Sequence, residues 1–350
     1  MHSKRSTWAS AVVLAGLLLA ACGDDSGTDG GGGEAGASEG EVTISGSSTV
    51  APISAIVADD FNASGSNASI TVDDPGTGDG FALFCEGSID IADASRPINE
   101  EEVAACEAAG IEFVELEIAF DGLTVMTHPD NDAVECLSFG DLYALTGPEA
   151  DGVVESWSDA ATVAGELGSG ADLPDAPFDM TAPGPESGTY DAFAELALGD
   201  PSEARLGAGA ITEDQVETIR TDYSSQADDN AIIAGIEGSD SSFGWVGFAF
   251  AEGAGDSVKE IAVDGGDGCV EPSIETIADG SYPLSRSLFI YVNAANAEAN
   301  PAVAEYVDFY LTTDSLGALV EEAGYVPLPE DRASATRETW DSRTTGSAAS

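Results

Sequence analysis

Three short segments of this chain repeat one local design, and that design limits the possible folds more than any bulk property. Each runs from an extended apolar stretch through a loop of Ser, Thr, Gly and Pro into helical spacing. They are 45–52 (SGSSTVAP), 75–80 (PGTGDG) and 183–190 (PGPESGTY). Repeated strand–loop–helix units make an α/β fold. Each loop brings hydroxyls and unpaired main-chain N–H groups to a helix N-terminus, which carries about half a positive charge and suits an oxyanion. Ser, Thr and Gly also serve as ordinary caps, so any one loop alone favours capping. Three together favour a bound anion. None is a nucleotide motif: there is no Gly-Lys-Ser/Thr, and Gly76-x-Gly78-x-Gly80 is not the dinucleotide fingerprint.

The rest of the chain alternates in the same way. Strands are predicted at 41–46, 68–72, 89–92, 111–116 and 123–127. Ile53, Ile56, Val57 and Phe61 fall at helical spacing, a helix opens at 81–85, and another covers 100–109 up to a Gly110 stop. A second block follows Thr127. It has helices at 139–145, 190–198 and 229–238, a Gly/Pro-rich stretch at 165–177, and strands at 178–181, 242–250 and 288–292. Helices at 301–311 and 315–323 close it. Two lobes with a mostly parallel sheet are expected, with chain crossings near 119–123 and 282–288 and a cleft between them. The expected boundaries are 42–122 for lobe I, 123–285 for lobe II and 286–330 for the return to lobe I. The polar tail 331–350 is expected to fray.

The N-terminus sets the compartment. Lys4 and Arg5 precede an apolar run over 11–21 that ends Leu19-Ala20-Ala21-Cys22, the bacterial lipoprotein pattern. Residues 1–21 read as a signal peptide and Cys22 as the lipidated first residue. The run is too short for a span, which needs about 20 apolar residues. Residues 22–41 are Gly, Ser and acids, a flexible tether. The protein is therefore expected outside the cytoplasm, lipid-anchored to the cell membrane and facing the periplasm or the exterior. Four further cysteines, Cys85, Cys106, Cys136 and Cys269, read as two disulfides in an exported protein. Three pairings are open. Cys85–Cys106 with Cys136–Cys269 is preferred, because the first pair flanks one short strand-turn-helix unit.

Charge removes one class of partner. Ten Lys and Arg against 65 Asp and Glu give a net charge of −55. Such a surface repels nucleic acid. The acids are scattered, as in a solubility adaptation. Against this background Arg96, at the end of the predicted strand in DIADASRP, stands out. An arginine fork can hold two oxygens of a tetrahedral anion; the ordinary alternative is an ion pair with a nearby acid. Arg220 and Arg286 are weaker candidates, more suited to bracing a hinge or pairing with acids. His128, beside Pro129, reads as a turn residue, and no metal or cofactor site is expected.

Several strings in this order resemble one family: GSSTVAPI, DIADASRPI, AFDGLTV, PESGTYDAF, RTDYSSQADDN, GWVGFAF and YPLSRSLFIYV. They resemble the substrate-binding lipoproteins of phosphate ABC transporters, the PstS family, from about Val42 to Pro329. The resemblance implies a periplasmic-binding-protein fold of the second type, two α/β lobes closing on one dehydrated phosphate. It implies ligand roles for Ser48, Thr49, Val50 (through its N–H), Thr77, Gly80, Ser95, Ser187, Gly188 and Thr189. Two positions depart from the family. Pro183 stands where members carry an arginine, and Ser95 stands where many carry an aspartate. Arg96 is inferred to replace the cation, and Asp79 or Asp93 the proton acceptor.

The function implied is capture of inorganic phosphate and delivery to an ABC permease, by a monomer. The alternatives are another oxyanion, sulfate or molybdate, or a sensory lipoprotein of the same fold. An enzyme using Ser187 is disfavoured, because there is no Gly-x-Ser-x-Gly elbow.

Overall fold

The computed structural model describes residues 40–347. The signal peptide, Cys22 and all but the end of the tether lie outside the described residues. Among the described residues no helix is long and apolar enough to cross a membrane.

The first half is built as the loops foretold. β1 (Glu41–Gly46), α1 (Ala51–Ala63), β2 (Ser69–Asp73), α2 (Thr77–Cys85), β3 (Ile91–Ala94) and α3 (Glu100–Ala109) follow in order. β2, β1 and β3 are parallel neighbours. Ile53, Val57 and Phe61 bury one face of α1, and Pro52 sits in its first turn, where no N–H is needed. α2 starts at Thr77, four residues before the apolar spacing shows it. α3 has both punctuation marks: an Asn99–Glu102 capping box at its start and Gly110 in the left-handed conformation at its end.

β4 (Phe113–Thr127) joins the halves. The sequence reads as two strands broken near Asp121-Gly122, yet β4 is continuous and almost wholly buried. Beyond it come β5 (Cys136–Ser138), α4 (Phe139–Thr146), α5 (Ala161–Glu166), β6 (Asp179–Pro183), α6 (Gly188–Gly207), β7 (Ser224–Gln226), α7 (Asp229–Glu237), β8 (Ser242–Gly247) and α8 (Phe248–Ala254). The later part of β4 pairs with β8, and β8 continues to β6 and β7. Two expectations are corrected here. The predicted 242–250 strand turns into α8 at Phe248, and the 190–198 helix runs on to Gly207 through Pro201. Phe193 of α6 stacks on Trp245 of β8 with ring centroids 3.8 Å apart, which fixes that helix on its sheet.

β9 (Lys259–Glu260) extends the edge beside β4. β10 (Ala262–Asp264) and β11 (Cys269–Val270) form a small sheet with β5, closed by the Cys136–Cys269 disulfide. Cys85 bonds Cys106, joining α2 to α3, so both preferred pairings are present. α9 (Ile274–Ala278) leads into β12 (Ser285–Asn293), which lies antiparallel between β3 and β4. The sheet is therefore mixed rather than mostly parallel. The two predicted crossings lie side by side: Ser285 pairs with Gly122 and Arg286 with Asp121. That pairing carries β4 straight through its expected break.

The chain ends with α10 (Ala294–Ala299), α11 (Pro301–Tyr310), α12 (Val320–Glu322), β13 (Val326–Pro327) and α13 (Glu330–Asp341). α12 continues a π-helical turn at Ser315–Leu319. The expected fraying tail is instead helical from Glu330 to Asp341. Ala333, Thr336 and Trp340 fall at i, i+3 and i+7 and are buried. Trp340 Nε1 donates to Asp308 at 2.6 Å, and Thr336 Oγ1 to the Glu117 carbonyl at 2.9 Å. Three anchors on one face suffice to dock an otherwise polar helix.

Candidate ligand cleft

A cleft of about 360 Å³ opens where the two halves meet. Its walls are Ser47, Ser48 and Thr49 after β1, Gly76, Thr77 and Gly78 at the start of α2, and Ser95 and Arg96 after β3. α6 contributes Tyr190, Asp191, Ala194 and Glu195 from the other side, and Glu217 and Arg286 complete the rim. All three strand–loop–helix segments thus reach this region, the third through Tyr190 alone.

Two glycines bring them together. Gly46 has φ +149°, and a Cβ there would lie 2.1 Å from the Asp93 carbonyl oxygen. A Cβ on Gly80 would lie 2.5 Å from the Gly46 Cα. Only bare main chain fits at both places. The consequence is that α2 presses its first turn against the end of β1, beside Ser47–Thr49. Gly80 therefore acts through packing, and it does not line the cleft.

The α2 end is equipped for an anion. Its cap, Gly76, makes no side-chain hydrogen bond, so the first-turn N–H groups stay available. Thr77 Oγ1 lies 3.0 Å from Ser95 Oγ and accepts from the Ser95 N–H at 3.2 Å, which places two predicted hydroxyls side by side. On the β1 loop, the Thr49 N–H donates to Ser47 Oγ at 3.2 Å. Val50 is a correction: its N–H donates to the Ser47 carbonyl at 3.1 Å and its side chain is fully buried. The turn that begins α1 consumes that donor.

The two proposed proton acceptors are also corrected. Asp79 is exposed in the first turn of α2, outside the cleft wall. Asp93 is fully buried beneath α1, where its Oδ1 accepts from Ser54 Oγ at 3.0 Å. Ser54 Oγ also lies 3.2 Å from Tyr310 Oη, and Tyr306 donates to the Ser54 carbonyl at 2.9 Å. Asp93 Oδ2 has no hydrogen-bond partner among the described residues. Burial pushes this carboxyl up to about 7, against the Ser54 bond.

On the α6 side, Ser187 caps the helix, its Oγ accepting from the Thr189 N–H at 3.1 Å. Ser187, Gly188 and Thr189 sit beside the cleft rather than in its wall. A Cβ on Gly188 would stand 3.0 Å from the Ser48 carbonyl, so this turn abuts the β1 loop directly. The wall itself is the next turn, where Asp191 Oδ2 accepts from Ser48 Oγ at 3.0 Å.

Arg96 and Arg286 both reach the cleft, and they are held differently. Arg96 reaches the rim, but Nη1 and Nη2 both donate to the Glu102 carboxylate, at 2.9 and 2.8 Å. It also lies over the Phe81 ring. Glu102 is the same acid that completes the α3 capping box, which is a sequence signal for this pairing. Arg286, a weaker candidate in the sequence, is the more deeply buried of the two. Its side chain is only 9% exposed. Nη2 donates to Thr49 Oγ1 at 3.0 Å, Nε to Asp121 Oδ2 at 3.3 Å, and Nη1 to Glu195. It pairs with acids, as its sequence reading expected, and it also faces the cleft. Burial raises the Asp121 carboxyl, and Arg286 opposes that rise. Glu217, at φ +53°, is one of two described non-glycine residues with positive φ. Burial raises its carboxyl, with Glu195 and Glu203 adding to the effect.

His128 forms the one His/carboxylate grouping tight enough for an ion among the described residues, with Asp130 and Asp240. Its Nδ1 accepts from the Asp130 N–H at 3.1 Å, which puts the ring proton on Nε2, facing Asp240 at 3.8 Å. That is the bonding of a turn residue.

Comparison with known proteins places this chain in a family. The family model described as a PBP superfamily domain matches residues 32–314. Protein SphX of Synechocystis is 40% identical over 291 residues, covering 83% of this chain and 79% of that protein. The phosphate-binding protein PstS of Staphylococcus aureus (strain USA300) is 35% identical over 317 residues, covering 90% and 85%. This chain belongs to the PstS family of the PBP superfamily. Among solved structures, a "possible phosphate binding protein" from Planctomyces limnophilus superimposes with a TM-score of 0.77 at 32% identity. That match covers 88% of this chain and all of the other. β12 contributes Arg286 to the cleft, and its pairing with β4 sets Arg286 opposite Asp121.

Proposed function

We propose that this chain captures inorganic phosphate outside the cytoplasm and delivers it to a membrane ABC permease. One observation carries the reading. The open first turn of α2, the paired hydroxyls of Thr77 and Ser95, and the Arg286–Thr49 pair all face one small cleft between lobes. Main-chain N–H groups, hydroxyls and one buried guanidinium are the donors that a desolvated tetrahedral anion requires. They work locally. At physiological salt the Debye length is about 8 Å, so exposed acids farther than that from the cleft are largely screened from it. Closure of the two lobes completes the hydrogen bonds.

Lipid attachment at Cys22, a monomeric state and lobe boundaries near residues 122 and 285 belong to the same proposal. So does the absence of catalysis. Ser187 Oγ is engaged by the Thr189 N–H, and His128 is held at its own turn by Asp130. Neither is arranged as a nucleophile with its base.

The test is calorimetry on the processed protein with phosphate and, separately, sulfate. Saturable one-to-one heat with phosphate and weaker binding of sulfate is the expected result. Preference for sulfate, or no heat with phosphate, removes the assignment.

A further inference from the structure

Asp191 and Glu195 stand four residues apart on α6, both in the cleft wall. Each engages a group that an anion in this cleft would use. Asp191 Oδ2 accepts from Ser48 Oγ at 3.0 Å, and Glu195 Oε2 accepts from Arg286 Nη1. The donors belong to the β1 loop and to β12; the acceptors belong to the opposite lobe.

Nothing in the fold requires these two carboxylates. Arg286 already has a buried counter-charge in Asp121, whose side chain is 4% exposed, whereas Glu195 is 44% exposed. The Ser48 hydroxyl needs no charged partner. Like charges at i and i+4 on one helix face repel. Glu217 adds a third carboxyl at the same rim, and Glu195 contributes to holding it above the usual range. The site therefore carries clustered negative charge where a negative ligand is to enter.

We propose that Asp191 and Glu195 are internal competitors for the anion. They occupy Ser48 and Arg286 through carboxylate oxygens, and the ligand takes these donors by displacing them. This inference rests on the phosphate reading. It makes the cleft selective by charge density. A carboxylate or another weakly basic monoanion offers nothing that Asp191 and Glu195 do not already supply. A phosphate with up to two charges on four oxygens outbids them. The pair also sets a ceiling on affinity that the remaining donors would otherwise exceed.

The experiment is phosphate calorimetry on the wild-type chain, Asp191→Asn, Glu195→Gln and the double variant, with thermal melts to verify folding. Both side chains are exposed enough for the variants to fold. Each single variant is expected to bind inorganic phosphate about threefold to tenfold more tightly, with acetate binding appearing or strengthening in the double variant. A merely structural role predicts weaker binding. Wild-type binding with unchanged or weaker binding in the variants overturns this inference and leaves the phosphate assignment standing. Absence of phosphate binding in the wild type overturns the assignment, and this inference with it.

Discussion

Arg286 Nη2 donates to Thr49 Oγ1 across 3.0 Å, tying β12 to the loop that follows β1. Arg96, which looked the better anion ligand, spends its guanidinium on Glu102. The two arginines are therefore expected to behave differently. Arg286→Ala weakens phosphate by about 1.5–3 kcal/mol, the range for hydrogen bonds to a charged group. Arg96→Ala changes affinity by less than about threefold, because its fork is already held by Glu102, and it lowers stability only modestly, since the pair is half-buried. Calorimetry on both variants separates these outcomes.

Gly80→Ala tests the close approach that forms the cleft. The new Cβ would meet the Gly46 Cα at 2.5 Å, main chain that cannot rotate away. The expected outcome is a loss of at least about 2 kcal/mol in a denaturant melt, in the range for overpacking a well-filled site. Phosphate affinity should fall with it, since α2 must back away from Ser47–Thr49.

Asp93 gives stability a pH dependence. Its native carboxyl is raised to about 7 from an ordinary value of 3.8, so the folded state holds the proton more tightly than the unfolded chain. Its contribution is full below the ordinary value and is lost as pH rises through about 7. The linked change is on the order of 4 kcal/mol. Asp93→Asn should remove this slope, so that the stability of the variant relative to wild type rises between about pH 4 and about pH 7 in chemical melts. Parallel pH profiles would contradict it.

The disulfides differ in what they constrain. Cys85–Cys106 spans 21 residues and Cys136–Cys269 spans 133. Loop-closure entropy predicts about 3 kcal/mol for the first and about 5 kcal/mol for the second. Replacing each pair by serine and comparing melts checks the order.

Where local chemistry decides a structure, the residues announced it. Gly110 stops α3 as expected, the Asn99–Glu102 capping box is a start signal of the same local kind, and the loops at 45–52 and 75–80 mark the turns that build the cleft. Where a distant partner decides, they did not. Asp121-Gly122 looks like a break in β4 until β12 pairs with it from 165 residues away, and Arg286 gains its role from that same register. Asp79 and Asp93 carry suitable chemistry, but one faces solvent and the other faces Ser54. α13 escaped notice because three anchors in twelve residues leave its composition polar.

The most direct measurement is a crystal structure grown with phosphate. One tetrahedral anion is expected between the first turn of α2 and Arg286, within hydrogen-bond reach of Thr77, Ser95 and Thr49. An anion bound elsewhere, or an empty cleft at saturating phosphate, would contradict it.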